Sequence, residues 1–393
     1  MLFEKTLIIL ANRTTHNVGS CHTLDDNQLF RSKKLMKRPQ TNCKSLLIGS
    51  LPMEDHELAT QMIFDYSPEI PLWVQLPKFK QEGMIHQFIS GMPGLTIEGD
   101  RLYIDTKKDS FETELVEYYE EYLLTSQDPK LLSQSRFSLS RETGKGFYVF
   151  LNFLKKNQPA VFSVKGQVTG PITLGIGVND QDGRSIFYDD TLRDVLAKHV
   201  AMNAKWQVLQ LSEYTSNPPI VFFDEPGVVS FGSSAYISIS REQVMEALGC
   251  GIDAIHEANG LAGIHICANG DWSLALESKA DILSFDAYSF FDNFILFKDS
   301  IHQFLSEGRI LAWGIVPTSR PEDIEKETTQ TLLTKWESQV DAVTSLGFSK
   351  QRILSQSLIT PSCGTGSLTL EQTKKVLVLT QELSDLLKKQ CAN

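Results

Sequence analysis

The feature that most constrains this chain is a repeated alternation. Eight short runs rich in β-branched and aliphatic residues recur from residue 45 onward, each closed by Gly, Pro, Ser or Asn. They are Ser45–Ser50, Pro71–Pro77, Ala160–Gly170, Pro219–Gly227, Leu261–Gly270, Asp281–Tyr288, Arg309–Pro317 and Arg352–Gly364. Between them lie segments whose apolar residues return every three or four positions, such as Thr191–Tyr214, Arg241–Asn259 and Asp323–Gly347. Strand followed by helix, eight times, predicts an α/β chain folded as a (β/α)8 TIM barrel. The link between the second and third runs, about residues 78–159, is too long for one crossover. It contains "FETELVEYYEEYLL" and "GKGFYVFLNFLKKN", so a helical insertion is expected there.

The domain division expected is residues 1–43 as a polar N-terminal extension and 44–393 as one barrel domain. The extension carries the basic cluster "RSKKLMKR", has no sustained hydrophobic period, and includes Met36 as a second candidate start. A formal net charge of −11 argues against a general nucleic-acid or anionic-membrane surface. No apolar run approaches the roughly 20 residues of a membrane-spanning helix, and the opening lacks a signal-peptide layout. A cytoplasmic protein is expected. Six cysteines scattered over 393 residues do not resemble a disulfide framework, so reduced thiols are expected and a cysteine is free to serve as a ligand.

In a barrel of this kind, chemistry gathers where strands end and the following loops converge. Ser50, Asp224, Glu225, His265, Cys267, Asp286 and Cys363 all fall at such ends. His265 and Cys267 are two residues apart on a strand and point to one side, as two ligands of one ion must. Taken alone, the pair reads more readily as a buried histidine and a core thiol than as metal ligands. Cys363, on the turn after the last strand, supplies a third donor from across the barrel mouth, which makes a zinc site the better reading; Asp286 is a weaker fourth ligand. Cys21, Cys43, Cys250 and Cys391 read as ordinary structural thiols, Cys250 within a helical pattern and the other three outside the inferred barrel, and for the histidines His56, His86, His199, His256 and His302 the sequence names no partner. Asp224 and Glu225 are adjacent on a strand and face opposite ways, so only one enters the pocket and they do not form a retaining-glycosidase pair. No phosphate loop, nucleophile turn or dinucleotide fingerprint is present.

The stretches "LLIGSLPMED", "VKGQVTGPITLG", "VFFDEPG", "GIHICANGD", "DILSFDAY" and "TPSCGTGSLT" resemble, in order and approximate spacing, the C-terminal catalytic barrel of cobalamin-independent methionine synthase. That family belongs to a superfamily shared with uroporphyrinogen decarboxylase and the zinc methyltransferases that work with corrinoid proteins. The resemblance spans about residues 44–385. It implies a zinc-dependent methyltransferase that activates a thiol, with His265, Cys267 and Cys363 as zinc ligands. It places the amino-acid carboxylate at Ile48, Gly49 and Ser50 and the amino group at Asp224. Asp286 stands where the family has a glutamate ligand. Homocysteine is the implied acceptor. The 43 residues before the first run are too few for the family's second, folate-holding barrel, so the donor expected is a methyl-corrinoid or a methyl-folate. A close alternative methylates coenzyme M or another thiol from a corrinoid protein; a metal-free decarboxylase and a non-catalytic binding barrel are more distant ones.

Overall fold

The structure is a computed structural model, and it describes residues 38–230 and 238–391. Residues 1–37, which include Cys21 and most of the expected extension, lie outside the described residues. Ten strands follow one another in the described chain: β1 (Lys44–Ser45), β2 (Leu95–Glu98), β3 (Arg101–Ile104), β4 (Lys165–Thr169), β5 (Asn179–Asp180), β6 (Ile220–Asp224), β7 (Leu261–Ile266), β8 (Ile282–Phe285), β9 (Ile310–Val316) and β10 (Ser357–Pro361).

Seven of them form a parallel sheet in the order β1-β10-β9-β8-β7-β6-β4. The run expected to be the second strand does not build a ladder. Leu72 makes a parallel bridge to Lys165 of β4, and Gln75 makes one to Ser50. The segment thus bridges β4 at one edge of the sheet and Ser50, five residues beyond β1, at the other, and the layout is consistent with a TIM-barrel-like fold. Pro71 and Pro77, which have no N–H to donate, bracket this segment and help explain why its pairing stays short. The sheet strands from β4 onward are buried along their whole length, as expected where a parallel sheet is covered on both sides. Trp73, Trp206, Trp272, Trp313 and Trp336 are fully buried around them.

Between residues 78 and 159 the two expected helices form, as Phe111–Gln127 and Lys145–Asn157. The segment is nevertheless not all helical. β2 and β3 make an antiparallel hairpin there, and β3 pairs in parallel with β5. Gly99, at φ +61°, begins its tight turn, a backbone state that glycine adopts at little cost. The helix expected over Asp323–Gly347 is likewise two helices, Pro321–Lys326 and Thr329–Thr344. Thr328 breaks it by capping the second one, its hydroxyl accepting from the Thr331 N–H.

Several residues first read as unpartnered have partners. His56 pairs with Glu82 at 2.6 Å, His256 with Asp281 at 2.7 Å, and the His302 ring lies 5.1 Å from that of Phe348. Cys43 is buried, and its thiol contacts that of Cys391, near the end of the C-terminal helix. Residues immediately before β1 are also anchored: the Thr41 hydroxyl donates to the Ser357 carbonyl at 2.7 Å, and Arg38 pairs with Asp281 at 2.6 Å. Among the described residues no helix is long and apolar enough to cross a membrane.

Candidate metal centre

Register assembles the site. Asp224 of β6 is paired with Thr169 on one side and His265 of β7 on the other, and His265 is paired with Ser284 of β8. Residues paired across parallel strands share a face, so Thr169, Asp224, His265 and Ser284 form one row across the sheet. Cys267 follows one residue after β7 ends, and Cys363 two residues after β10. The ligand atoms of His265, Cys267 and Cys363 all lie within 4.8 Å of one another, and no other group of this kind occurs among the described residues.

His265 is almost wholly buried, and its Nδ1 lies 2.9 Å from the Ser284 hydroxyl. Its Nε2 is buried without a hydrogen-bond partner. A buried polar nitrogen left bare is costly unless something occupies its lone pair or takes its proton. One imidazole nitrogen oriented by a hydrogen bond on the opposite side of the ring, together with two thiols, is a donor set that suits zinc. The thiols already perturb each other. The Cys267 thiol is held well below the ordinary range, first by a hydrogen bond from Cys363 and further by His265; Cys363 is pushed up by that contact and by burial. The three residues therefore fit a metal ion.

Asp286 is not part of this trio. Its carboxylate caps the helix Ala287–Phe294, accepting from the Ser289 N–H at 2.8 Å, and burial pushes it up to about 6. Asp224 does face the site. It is buried, its Oδ1 has no partner, and burial raises it although Lys165 and His265 act in the opposite direction. Glu225 faces away, bound to the backbone N–H groups of Ile172 and Thr173 at 3.0 and 2.8 Å and to the Thr173 hydroxyl. Ile48, Gly49 and Ser50 share with Cys363 the lining of a small cavity of about 10 Å³. The Ser50 hydroxyl accepts from the Gly366 N–H at 3.2 Å and sits so close to Gly364 that a Cβ there would meet it at 2.2 Å.

Two residues of the site escape a reading of the sequence. Ser284 becomes visible only once the β7–β8 register is known. Lys165 is fully buried, its ammonium donating to the Ile48 carbonyl at 2.5 Å and lying 4.9 Å from the Phe222 ring centroid. Burial pulls it down to about 8, with Asp224 resisting the shift. A charged residue inside the apolar run "VFSVKGQV" was the available signal.

No family model matches the chain, and no curated protein matches it. Among solved structures, a methyltransferase from Methanosarcina mazei is similar over 83% of this chain and 84% of its own, with 11% sequence identity and a TM-score of 0.48.

Proposed function

We propose that the chain is a zinc-dependent S-methyltransferase that transfers a methyl group to a small thiol, homocysteine by preference, from a methyl-corrinoid or methyl-folate donor. The observation that carries this reading is the convergence of His265, Cys267 and Cys363, with the imidazole nitrogen bare and buried. These three residues would hold the ion, and Ser284 fixes the ring that presents Nε2.

A free thiol has a pKa of about 8.5 and is mostly protonated at neutral pH, whereas a coordinating thiol is deprotonated outright; that is the chemistry the ion supplies. The chain's own residues do the rest. Asp224, with one carboxylate oxygen unmatched, is placed to accept hydrogen bonds from a substrate ammonium. Buried Lys165 supplies the opposite charge that helps keep Asp224 ionised. The stretch Ile48–Ser50, beside Cys363, is the wall against which the amino-acid carboxylate would lie. Holding the acceptor at these points orients its sulfur toward the donor methyl carbon, the proximity contribution to rate. The sulfur–carbon bond forms as the donor–methyl bond breaks, and the donor leaves with the bonding electron pair.

The test is zinc per chain in metal-replete protein, alongside His265→Ala and Cys363→Ser. About one equivalent in the wild type, falling sharply in both variants, is expected of a site with three protein ligands. Methylation of homocysteine from methylcobalamin and from methyl-folate then identifies the donor. No zinc in the wild type overturns the reading.

A further inference from the structure

Cys267 also borders a second and much larger cavity, of about 690 Å³, a size that small-molecule ligands occupy. Its lining carries three cations, Arg320, Lys326 and Lys335, against a single carboxylate, Asp323. The chain as a whole has a formal net charge of −11, so this local excess of positive charge runs against composition.

The cations are arranged rather than scattered. Asp323 is buried, and its two oxygens take Arg320 at 2.6 Å and Lys326 at 2.5 Å. One carboxylate therefore positions two cations and neutralises only one. Glu322 stands 3.8 Å from Arg320, but both side chains are largely exposed and solvent screens the pair. Glu327 receives the hydroxyls of Tyr288 and Thr331. Lys335 lies 4.6 Å from the Tyr288 ring centroid, and among the described residues it forms no ion pair. Tyr288, Phe290 and Pro317 add apolar wall. The cavity thus joins a positively charged wall to Cys267, one member of the thiol–imidazole cluster.

We propose that this cavity binds an anionic small molecule, its carboxylate, phosphate or sulfonate held at Arg320, Lys326 and Lys335 and its remainder directed toward Cys267. The identity of that molecule as a reactant rests on the methyl-transfer reading above. The anionic group then belongs either to the methyl donor or to a thiol acceptor other than homocysteine, whose single carboxylate the reading above lays against Ile48–Ser50.

The experiment is calorimetric titration of the full chain with three probes, 3-mercaptopropionate, 2-mercaptoethanol and glutarate, with zinc measured on the same samples. The anionic thiol is expected to bind about tenfold more tightly than the neutral one. Lys335→Gln, at an exposed position that does not disturb the core, is expected to weaken it about threefold and Lys335→Glu about tenfold. Lys298→Gln, an equal charge change at an exposed lysine that does not line the cavity, leaves binding unaltered. Glutarate binding as tightly as the anionic thiol assigns the anion to the donor; much weaker glutarate binding assigns it to the acceptor. Equal affinity for the two thiols, indifferent to Lys335→Glu, overturns the proposal. Zinc-free wild type that still binds glutarate through Lys335 removes the metal reading and keeps the anion site, so the two failures are distinguishable.

Discussion

Strand β8 has an aspartate at each end, and the two experience opposite conditions. Asp281, just before it, accepts from His256 at 2.7 Å, from Arg38 at 2.6 Å and from the Ala262 N–H at 2.9 Å. Burial by itself would raise its pKa, but these partners prevail and hold it below the ordinary range. Asp286, just after the strand, has Ser289 as its hydrogen-bond partner, and there burial prevails. The contrast extends to the histidines. His256 has a carboxylate at its Nε2, whereas the Nε2 of His265 has no hydrogen-bond partner. Matched polar groups at the N-terminal end of the strand stabilise the fold. Unmatched ones at the C-terminal end cost stability and are tolerated where a bound group completes them.

The comparison is broken most severely at its matched end. Asp281→Ala leaves His256, Arg38 and the Ala262 N–H without their acceptor and is expected to cost about 3 kcal/mol, read as a shift of the urea midpoint. Zinc uptake should survive, since no ligand is touched; a variant that keeps full stability would show that the cluster contributes nothing. At the other end, Ser284→Ala frees the His265 ring to turn. Zinc affinity should fall about tenfold in a competition titration with a chromophoric chelator, with the thermal midpoint of the metal-free protein nearly unchanged. An unaltered affinity would mean that packing alone orients the ring.

The smallest effect sharpens the contrast through pH. Glu225, at the end of β6, is pushed up to about 7 by burial, against the hydrogen bonds from Thr173 and Ile172. The native state therefore binds its proton before the unfolded chain does, and stability rises as pH falls from above 7 toward the ordinary glutamate value of about 4.3. Asp281 has the opposite sign. Its lowered native pKa gives stability that is present above the unfolded value of about 3.9 and is lost as pH falls further. Melting temperature against pH should thus peak on the acid side of neutrality. Glu225→Gln should flatten the upper limb alone, and a limb unaffected by that change would locate its origin elsewhere.

Much of this molecule is legible in its sequence. Parallel strands buried on both sides appear as unbroken apolar runs, which is why β4 and β6 to β10 fall inside the runs read first. A spacing of two on a strand puts His265 and Cys267 on one side whatever surrounds them, because side-chain direction alternates with every residue. Local rules of this kind also place Cys363 at a strand end and turn Glu225 away from Asp224. The hairpin at Leu95–Ile104 was less visible. Its strands have only four residues each and are partly exposed, so they carry little hydrophobic signal, although the Gly99–Asp100 turn marked it.

What the sequence could not determine depends on register and on long-range packing. Ser284 lies 19 residues from His265, and only the alignment of β7 with β8 puts its hydroxyl against the imidazole. Arg38 and Asp281 are 243 residues apart, and which aspartate flanking β8 receives a cation is decided where the segment before β1 meets the sheet. The basic wall of Arg320, Lys326 and Lys335 reads in sequence as an ordinary solvated stretch. It becomes a wall because Thr328 breaks the helix and Asp323 is buried between two of its cations. Residue type and spacing thus determined the strands and which three residues stand at strand ends as candidate ligands, since those follow from backbone periodicity. The electrostatics around them depend on distances between segments remote in the chain, and only the tertiary structure decided those.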